Sequence, residues 1–583
     1  MRLPILLACS VLSASAQTRD QPVNLLNGDL LSVFRLSQAG TGRGSAMRFP
    51  VEGQSFTEAL RLSTAAIPVN PWDLRIRAAG SAPARKDDTI LATFYVRCVE
   101  PADGECAVLL NVEQTVSPYT KSANVPFIAG MEWKRVRFVF RMSEDYNPAG
   151  YMIDFWMSQQ VQVAEIGGIS FENFGQGVKG SEIGLDALYD GAAPDAPWRT
   201  AASERIDKIR KGDLAVSVKD SGGNPVSGAV VRVKMTRHAF GWGTAVDGAK
   251  LLAVNADSDK YRQFILENFN CAVLENDLKW PGWEANRARA LRAVEWLRAN
   301  GIQKIRGHNL VWPSWRYLPR DLPTLQNDVA ALRKRVLDHI QDKVAANRGT
   351  LMDWDVINEA YTNRDLQKIL GDDEMVLWFQ AARNYDSGVK LFINDYNILS
   401  ANGANLLHRN GYFDIIRFLE SKNAPVDGIG MQGHFSSATA PETMLSILDR
   451  FAAFKKEIEI TEFDFNTSDE ELQAQFTRDL LITAFSHPSV TNFLMWGFWE
   501  GQHWLPRGAM IRRDWTSKPN HGVWREMVYG KWWTREAGVT GDDGIYSVRG
   551  FFGDYEVEIS TGESTVTLPV TLVRDGATLQ VVL

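Results

Sequence analysis

Apolar and polar residues alternate along residues 24–175 in short runs. Examples are Ala92-Thr93-Phe94-Tyr95-Val96, Lys134-Arg135-Val136-Arg137-Phe138-Val139-Phe140 and Met152-Ile153-Asp154-Phe155-Trp156, with Gly, Pro and Asn clusters between them. A period of two punctuated by turn residues predicts an all-β sandwich. A Gly/Ala/Pro/Asp-rich stretch at 190–197 reads as linker, and helical period first appears at about residues 202–210. Between about 240 and 529 the pattern changes. Short apolar runs at 240–246, 269–274, 304–310, 352–357, 391–394, 428–431, 458–461 and 492–498 now alternate with longer segments. Those segments carry a 3.6-residue apolar period, as at Ala288, Leu291, Val294 and Leu297, or at Leu332, Val336, Ile340 and Val344. Eight such units predict a parallel sheet closed into a (β/α)8 barrel. The alternative is an open doubly wound sheet, and it is weakened because no G-x-G-x-x-G follows the first run.

Composition narrows the class. Sixty-three Lys+Arg against 70 Asp+Glu leave a net charge of −7, so no global basic field exists to hold nucleic acid or an anionic membrane. Beyond the N-terminus no run approaches the apolar length of a transmembrane helix. Residues 1–16 combine Arg2, a short apolar centre and Ser13-Ala14-Ser15-Ala16, which predicts an export signal cleaved after Ala16. Leu6-Leu7-Ala8-Cys9 faintly resembles a lipoprotein signal, so the expected location is secreted, periplasmic or cell-surface. In an exported chain the closely spaced Cys98 and Cys106 suit a bridged hairpin, leaving Cys271 as a buried apolar residue. The 19 tryptophans supply flat apolar area suited to sugar rings as well as to cores.

In such a barrel the functional side chains come from the C-terminal strand ends. Here those ends are polar in a consistent way: Glu275-Asn276 with Lys279, His308 with Trp312, Asn358-Glu359, Asn394-Asp395, Gln432-Gly433-His434, Glu462-Phe463-Asp464, and Trp496 with Trp504. Glu359 and Glu462, on the fourth and seventh runs, are expected to face each other across the barrel mouth. Paired carboxylates in a Trp-lined cleft suit glycoside hydrolysis, one protonating the leaving oxygen while the other attacks or activates water.

The segments 269–280, 306–312, 354–360, 432–434, 460–464 and 496–504, with Lys518-Pro519 near the last helix, resemble family 10 glycoside hydrolases, the endo-β-1,4-xylanases. The resemblance covers about residues 237–530. It implies Glu359 as general acid/base and Glu462 as the nucleophile of a retaining mechanism. It further implies Asn358 on the sugar 2-hydroxyl, His434 with Gln432 orienting Glu462, and Asp464 holding His434. His308 would contact the same sugar, Glu275, Asn276 and Lys279 the next one out, and Trp312, Trp496 and Trp504 would form apolar walls. No metal or organic cofactor is required for that chemistry. The chain departs from the family at Trp312-Pro313-Ser314-Trp315, where Trp-His is usual, and at 496–504, which lacks the usual Thr-Asp step. Trp315 and Trp499 therefore either remodel the cleft or simply pack.

The flanks complete the expected organisation. Residues 17–190 resemble a jelly-roll carbohydrate-binding module, with Trp72, Tyr119, Trp133 and Trp156 as candidate stacking residues, and 191–212 form a linker. Residues 213–236 and 535–583 resemble two halves of one transthyretin-like or carboxypeptidase-regulatory-like sandwich, into which the barrel of 237–534 is inserted. The expected protein is a monomeric, secreted, retaining endo-1,4-β-xylanase acting on a polysaccharide. The alternatives are a hydrolase of another β-1,4-glycan or of decorated xylan, and a non-catalytic glycan-binding protein.

Overall fold

The computed structural model describes residues 18–101, 104–183, 189–562 and 564–583, so the expected export signal lies outside the described residues. Two compact units divide the chain, residues 1–188 and 189–583.

The first unit is a sandwich of antiparallel sheets. One sheet orders Arg43–Pro50, Glu58–Ala66, Gln162–Gln176, Asp88–Glu100 and Lys134–Arg141, with Thr18–Asn24 added on Gln162–Gln176. The other orders Arg35–Gln38, Leu74–Ala79, Tyr151–Trp156, Cys106–Gln114 and Lys121–Ala129. Alternate residues of both sheets, among them Phe94, Leu110, Phe155 and Phe171, point inward and are fully buried. Cys98 and Cys106 are disulfide-bonded, and Cys271 is a buried free thiol.

The second unit contains the barrel. Its strands are β1 (Gly241–Val246), β2 (Cys271–Leu274), β3 (Lys304–Gly307), β4 (Asp353–Asn358), β5 (Lys390–Asp395), β6 (Gly428–Met431), β7 (Glu457–Phe465) and β8 (Val490–Met495). Each pairs in parallel with the next, and β8 pairs with β1, which closes the ring. The chain is thus a (β/α)8 barrel with flanking β domains. Several outer helices start on side-chain caps that the sequence supplies: Asn255, Asp328, Asn405 and Asp469 each accept a backbone N–H from the first turn. Among the described residues no helix is long and apolar enough to cross a membrane.

The stretch expected as linker is not one. Pro197–Arg210 is a helix that buries Trp198, Ala202 and Ile206, one stripe at four-residue spacing. It is fixed to the barrel helix Glu470–Ser486 by Arg199, whose guanidinium donates to both carboxylate oxygens of Asp479 at 2.6 and 2.8 Å. Arg210 caps the same region by donating to the carbonyls of His487 and Val490 at 2.7 and 2.8 Å. The Gly/Ala/Pro composition at 190–197 marks only the turn before this helix, with Pro197 in its first turn, where a missing N–H costs nothing.

Beyond the barrel's two chain ends, strand Lys211–Lys219 lies between Ile545–Phe551 and Ala577–Val582, and Val230–His238 lies between Arg535–Val539 and Gly553–Ser560. Segments before and after the barrel therefore share both sheets. Leu214, Val216, Val231, Val233, Val557 and Ile559 fill the space between them.

Candidate active site

The site lies at the C-terminal ends of the strands. Glu359 is the first residue after β4 and takes φ 57°, a left-handed conformation uncommon for a side-chain-bearing residue. This turn is held by its N–H donating to the carbonyl of Asn394 at 2.8 Å. One carboxylate oxygen accepts from Trp312 Nε1 and Asn363 Nδ2, both at 3.0 Å, and the other accepts from Gln432 Nε2 at 3.0 Å. Burial pushes its pKa up to about 7, with the negative charges of Asp395 and Glu462 adding to the effect against the donors.

Glu462, inside β7, is 3% exposed and surrounded by donors. Oε1 accepts from Asn394 Nδ2 at 2.8 Å, and Oε2 lies 3.3 Å from His434 Nε2. Burial alone would raise its pKa. The His308 imidazole, 3.9 Å from Oε1, and the hydrogen bond from His434 outweigh burial and hold the carboxyl below the ordinary glutamate value. His434 is itself anchored by Asp464 at 3.0 Å. That pairing overcomes burial and pushes the imidazole up to about 10, so it stands beside Glu462 as a cation. Gly433, at φ 87°, makes the turn that separates Gln432 from His434, sending one to Glu359 and the other to Glu462.

The remaining expected residues assemble around this pair. His308 follows β3 and bonds Asp355 at 2.8 Å. Asn358 ends β4, and its buried Nδ2 has no protein acceptor, which leaves a donor for a bound sugar. Lys279 donates to Asn276 at 3.0 Å and lies 5.4 and 5.8 Å from the ring centroids of Trp312 and Trp496. Burial lowers its pKa against the pull of Glu462, Glu275 and Glu359, while burial raises Glu275. Trp504 is 53% exposed, donates to Asp464 at 2.8 Å and meets His434 edge-on at 5.0 Å. Trp496 is buried against the imidazoles of His308 and His434. Among the described residues no group of three His, Cys, Asp or Glu is arranged to hold a metal ion.

One expectation is corrected by geometry, and the open choice between remodelling and packing is decided for Trp499. The Gln432 side chain does not orient Glu462; it donates to Glu359, and only its backbone carbonyl takes the Glu462 N–H, at 2.7 Å. Trp499 packs, 5% exposed and stacked on Trp515 at 4.5 Å. Trp315 is held by its N–H donating to Asp365 at 3.0 Å and is partly buried against the core.

Sequence reading assigned no role to Asn394, yet its Nδ2 bridges Glu462 and the Oδ1 of Asn358 at 2.8 and 3.0 Å, with its side-chain Oδ1 accepting from the Thr461 hydroxyl. Its place at a strand end was the available signal. A deeper layer was also missed. Arg306, fully buried, lies 2.7 Å from Asp355, 3.1 Å from Asp353 and 2.6 Å from Glu459. The alternation Asp353-Trp354-Asp355 in an otherwise apolar strand points both acids into the barrel, and this was its trace in the sequence. Arg306 thereby fixes Asp355, which fixes His308, which faces Glu462. Replacing Arg306 by Met leaves three buried carboxyl groups without their cation. It is expected to cost about 3–5 kcal/mol of unfolding free energy, read by denaturant titration; a loss below about 1 kcal/mol would show that the cluster contributes little.

Comparison with known proteins was informative for this half of the chain. Residues 232–520 match the family described as "Glycosyl hydrolase family 10". The chain is 34% identical over 389 residues to "Anti-sigma-I factor RsgI6" of Acetivibrio thermocellus, covering 66% of this chain and 49% of that protein. It is 29% identical over 402 residues to "Endo-1,4-beta-xylanase 1" of Arabidopsis thaliana, covering 67% and 41%. The chain therefore spans less than half the length of either relative. The crystal structure of xylanase 10B from Thermotoga petrophila in complex with xylobiose aligns at 26% identity and TM-score 0.45, covering 50% of this chain and 95% of that one.

Proposed function

We propose, from the match of residues 232–520 to glycosyl hydrolase family 10, that the protein is an endo-1,4-β-xylanase cleaving internal linkages of xylan by double displacement. The observation that carries the reading is two carboxyl groups at one barrel mouth in different settings, Glu359 bonded by Trp312, Asn363 and Gln432, and Glu462 by Asn394 and His434. Glu359 is pushed up to about 7 and Glu462 is held below its ordinary value. Environments that drive two acids apart assign an acid and a nucleophile.

In the first step Glu462 attacks the anomeric carbon as Glu359 gives its proton to the departing glycosidic oxygen, forming a covalent glycosyl ester. Asn394 and His434 hold the attacking carboxylate in place, and the free Asn358 donor is available to the sugar 2-hydroxyl. Ester formation removes the negative charge of Glu462, one of the causes that raises Glu359. The Glu359 carboxyl then gives up its proton more readily and acts as base toward the incoming water. That reversal is built into the mutual repulsion of the pair. The product keeps the β configuration. Proton NMR of the first turnovers is expected to show β-anomeric reducing ends before mutarotation, and α-anomers first would overturn double displacement.

The same pair sets the pH profile. Activity requires Glu462 ionised and Glu359 protonated in the free enzyme. Raising pH through about 7 strips the Glu359 proton, and lowering pH protonates Glu462 only below the ordinary glutamate value of 4.5. The plot of kcat/KM is expected to be a bell with its basic limb near 7 and its acid limb below 4.5; a basic limb near 5 would contradict the assignment of Glu359.

Export belongs to the same proposal and is supported by the Cys98–Cys106 disulfide, which suits an oxidising compartment. N-terminal sequencing of protein recovered outside the cytoplasm is expected to begin at Gln17; recovery only inside it, with Met1 retained, would overturn this part.

A further inference from the structure

A cavity of about 500 Å³ opens in the second unit at the N-terminal ends of the barrel strands, the end opposite the cleft. One side of it is the chain entering the first three strands: His238 and Ala239 before β1, Asn270 before β2, and Lys304 at the start of β3. The other side comes from the small sandwich. Phe552 and Gly553 stand where strand Gly553–Ser560 begins, and Leu572, Val573 and Arg574 where strand Thr565–Leu572 ends. The volume falls within the range of small-molecule sites, roughly 300–1,000 Å³.

A joint between two packed domains ordinarily pairs its charges, and this one does not. Asp554 is the one acid among the described residues that line the cavity, and it is already used. Its Oδ2 lies 2.7 Å from Arg237, and its Oδ1 accepts from the Thr571 hydroxyl at 2.8 Å. Lys304 donates to the backbone carbonyl of Ala239 and makes no ion pair among the described residues. Burial lowers its pKa, with the positive charges of Arg237 and Lys390 acting in the same direction. Glu459 pulls against them from inside the barrel but is held by Arg306 at 2.6 Å. Arg574, on the facing wall, is exposed and has no ion-pair partner among the described residues. Its charge reaches Arg210, which burial already lowers to about 10. Two cations therefore border one cavity without a counter-charge.

The rest of the wall is apolar. Leu572 is buried, Phe552 half-buried and Val573 50% exposed. His238 adds a donor: its Nδ1 accepts from the N–H of Phe240 at 2.9 Å, which places the ring proton on Nε2, and that buried nitrogen has no acceptor in the protein. Inorganic phosphate would answer the cations and leave Phe552, Leu572 and Val573 against water. A neutral ligand would cover the apolar wall and leave Lys304 and Arg574 unpaired. A carboxylate on an apolar body satisfies both demands.

We propose that this cavity is a second ligand site, at the barrel end opposite the cleft, for a small organic carboxylate with an aryl-sized apolar body, its carboxylate held by Lys304 and Arg574 and its body laid against Phe552, Leu572 and Val573. The site does not depend on the function proposed above.

The test is calorimetric titration of the full chain with 3-phenylpropanoate, with 3-phenylpropanol as the same body without charge, and with inorganic phosphate. Saturable binding of one 3-phenylpropanoate per chain is expected, with the alcohol and phosphate each weaker by about tenfold or more, the size of one lost charge-assisted contact. Lys304→Met and Arg574→Ser are each expected to weaken the carboxylate about tenfold on the same grounds. Lys208→Ser, on the helix Pro197–Arg210 and outside the cavity lining, is expected to leave binding unchanged. Arg574 is exposed, so Arg574→Ser keeps the test decisive should Lys304→Met lower the melting temperature. Phosphate binding as tightly as the carboxylate would overturn the organic ligand, and equal binding of the alcohol would overturn the role of the two cations. Carboxylate binding that neither variant alters, as binding beside Lys279 in the cleft would be, or no binding at all, would overturn the site.

Discussion

Glu462→Ala is expected to lower kcat on β-1,4-xylan by at least about 10⁴-fold while KM moves only a few-fold, since removing a nucleophile deletes the covalent route and not the binding surface. The structure makes this the largest single effect. Asn394 at 2.8 Å and His434 at 3.3 Å both hold this carboxylate. The cavity left by Ala admits a small anion. Added azide is expected to attack the opposite face of an activated aryl β-xyloside and to restore turnover as the α-glycosyl azide. A loss smaller than about 100-fold, or no azide product, would show that Glu462 is not the nucleophile.

Glu359→Ala is expected to fail differently according to the leaving group. On xylan, whose departing sugar hydroxyl needs a proton, kcat should fall about 10²–10⁴-fold. On an aryl xyloside with a strongly acidic phenol the first step needs no proton, so the glycosyl ester forms and then waits for a base that is absent. A burst of phenol followed by slow turnover is the expected trace. The basic limb near pH 7 should vanish with it, because the group pushed up to about 7 is gone. Equal losses on both substrates, with the basic limb intact, would assign the acid to another residue.

Much of this is legible in the amino-acid sequence. The eight apolar runs fell within a few residues of β1 to β8 because parallel strands buried on both faces read as continuous hydrophobic segments. Strand ends were less exact. The run at 304–310 stops pairing at Gly307, since His308 and Asn309 already turn into the cleft. Glu359, Glu462, His434 and Asp464 meet as their positions at strand ends required. Partnership among them was not legible: Gln432 and His434 sit two residues apart, and only the φ of Gly433 decides which glutamate each one serves. Nor could composition show that the Gly/Ala/Pro stretch near 190–197 leads into a helix tied to the barrel, because that attachment depends on Arg199 and Asp479, 280 residues apart in sequence. The buried cluster around Arg306 was hidden for a similar reason, Arg306 coming from β3 and its partners from β4 and β7.

Reducing-end release by the wild-type protein from purified β-1,4-xylan and from a soluble β-1,4-glucan, measured side by side with product lengths, tests the central claim most directly. The expected result is rapid turnover of xylan with mid-length oligosaccharides appearing first, as cleavage of internal linkages requires. Release from the glucan and not from xylan, or none from either by a folded protein, would contradict it.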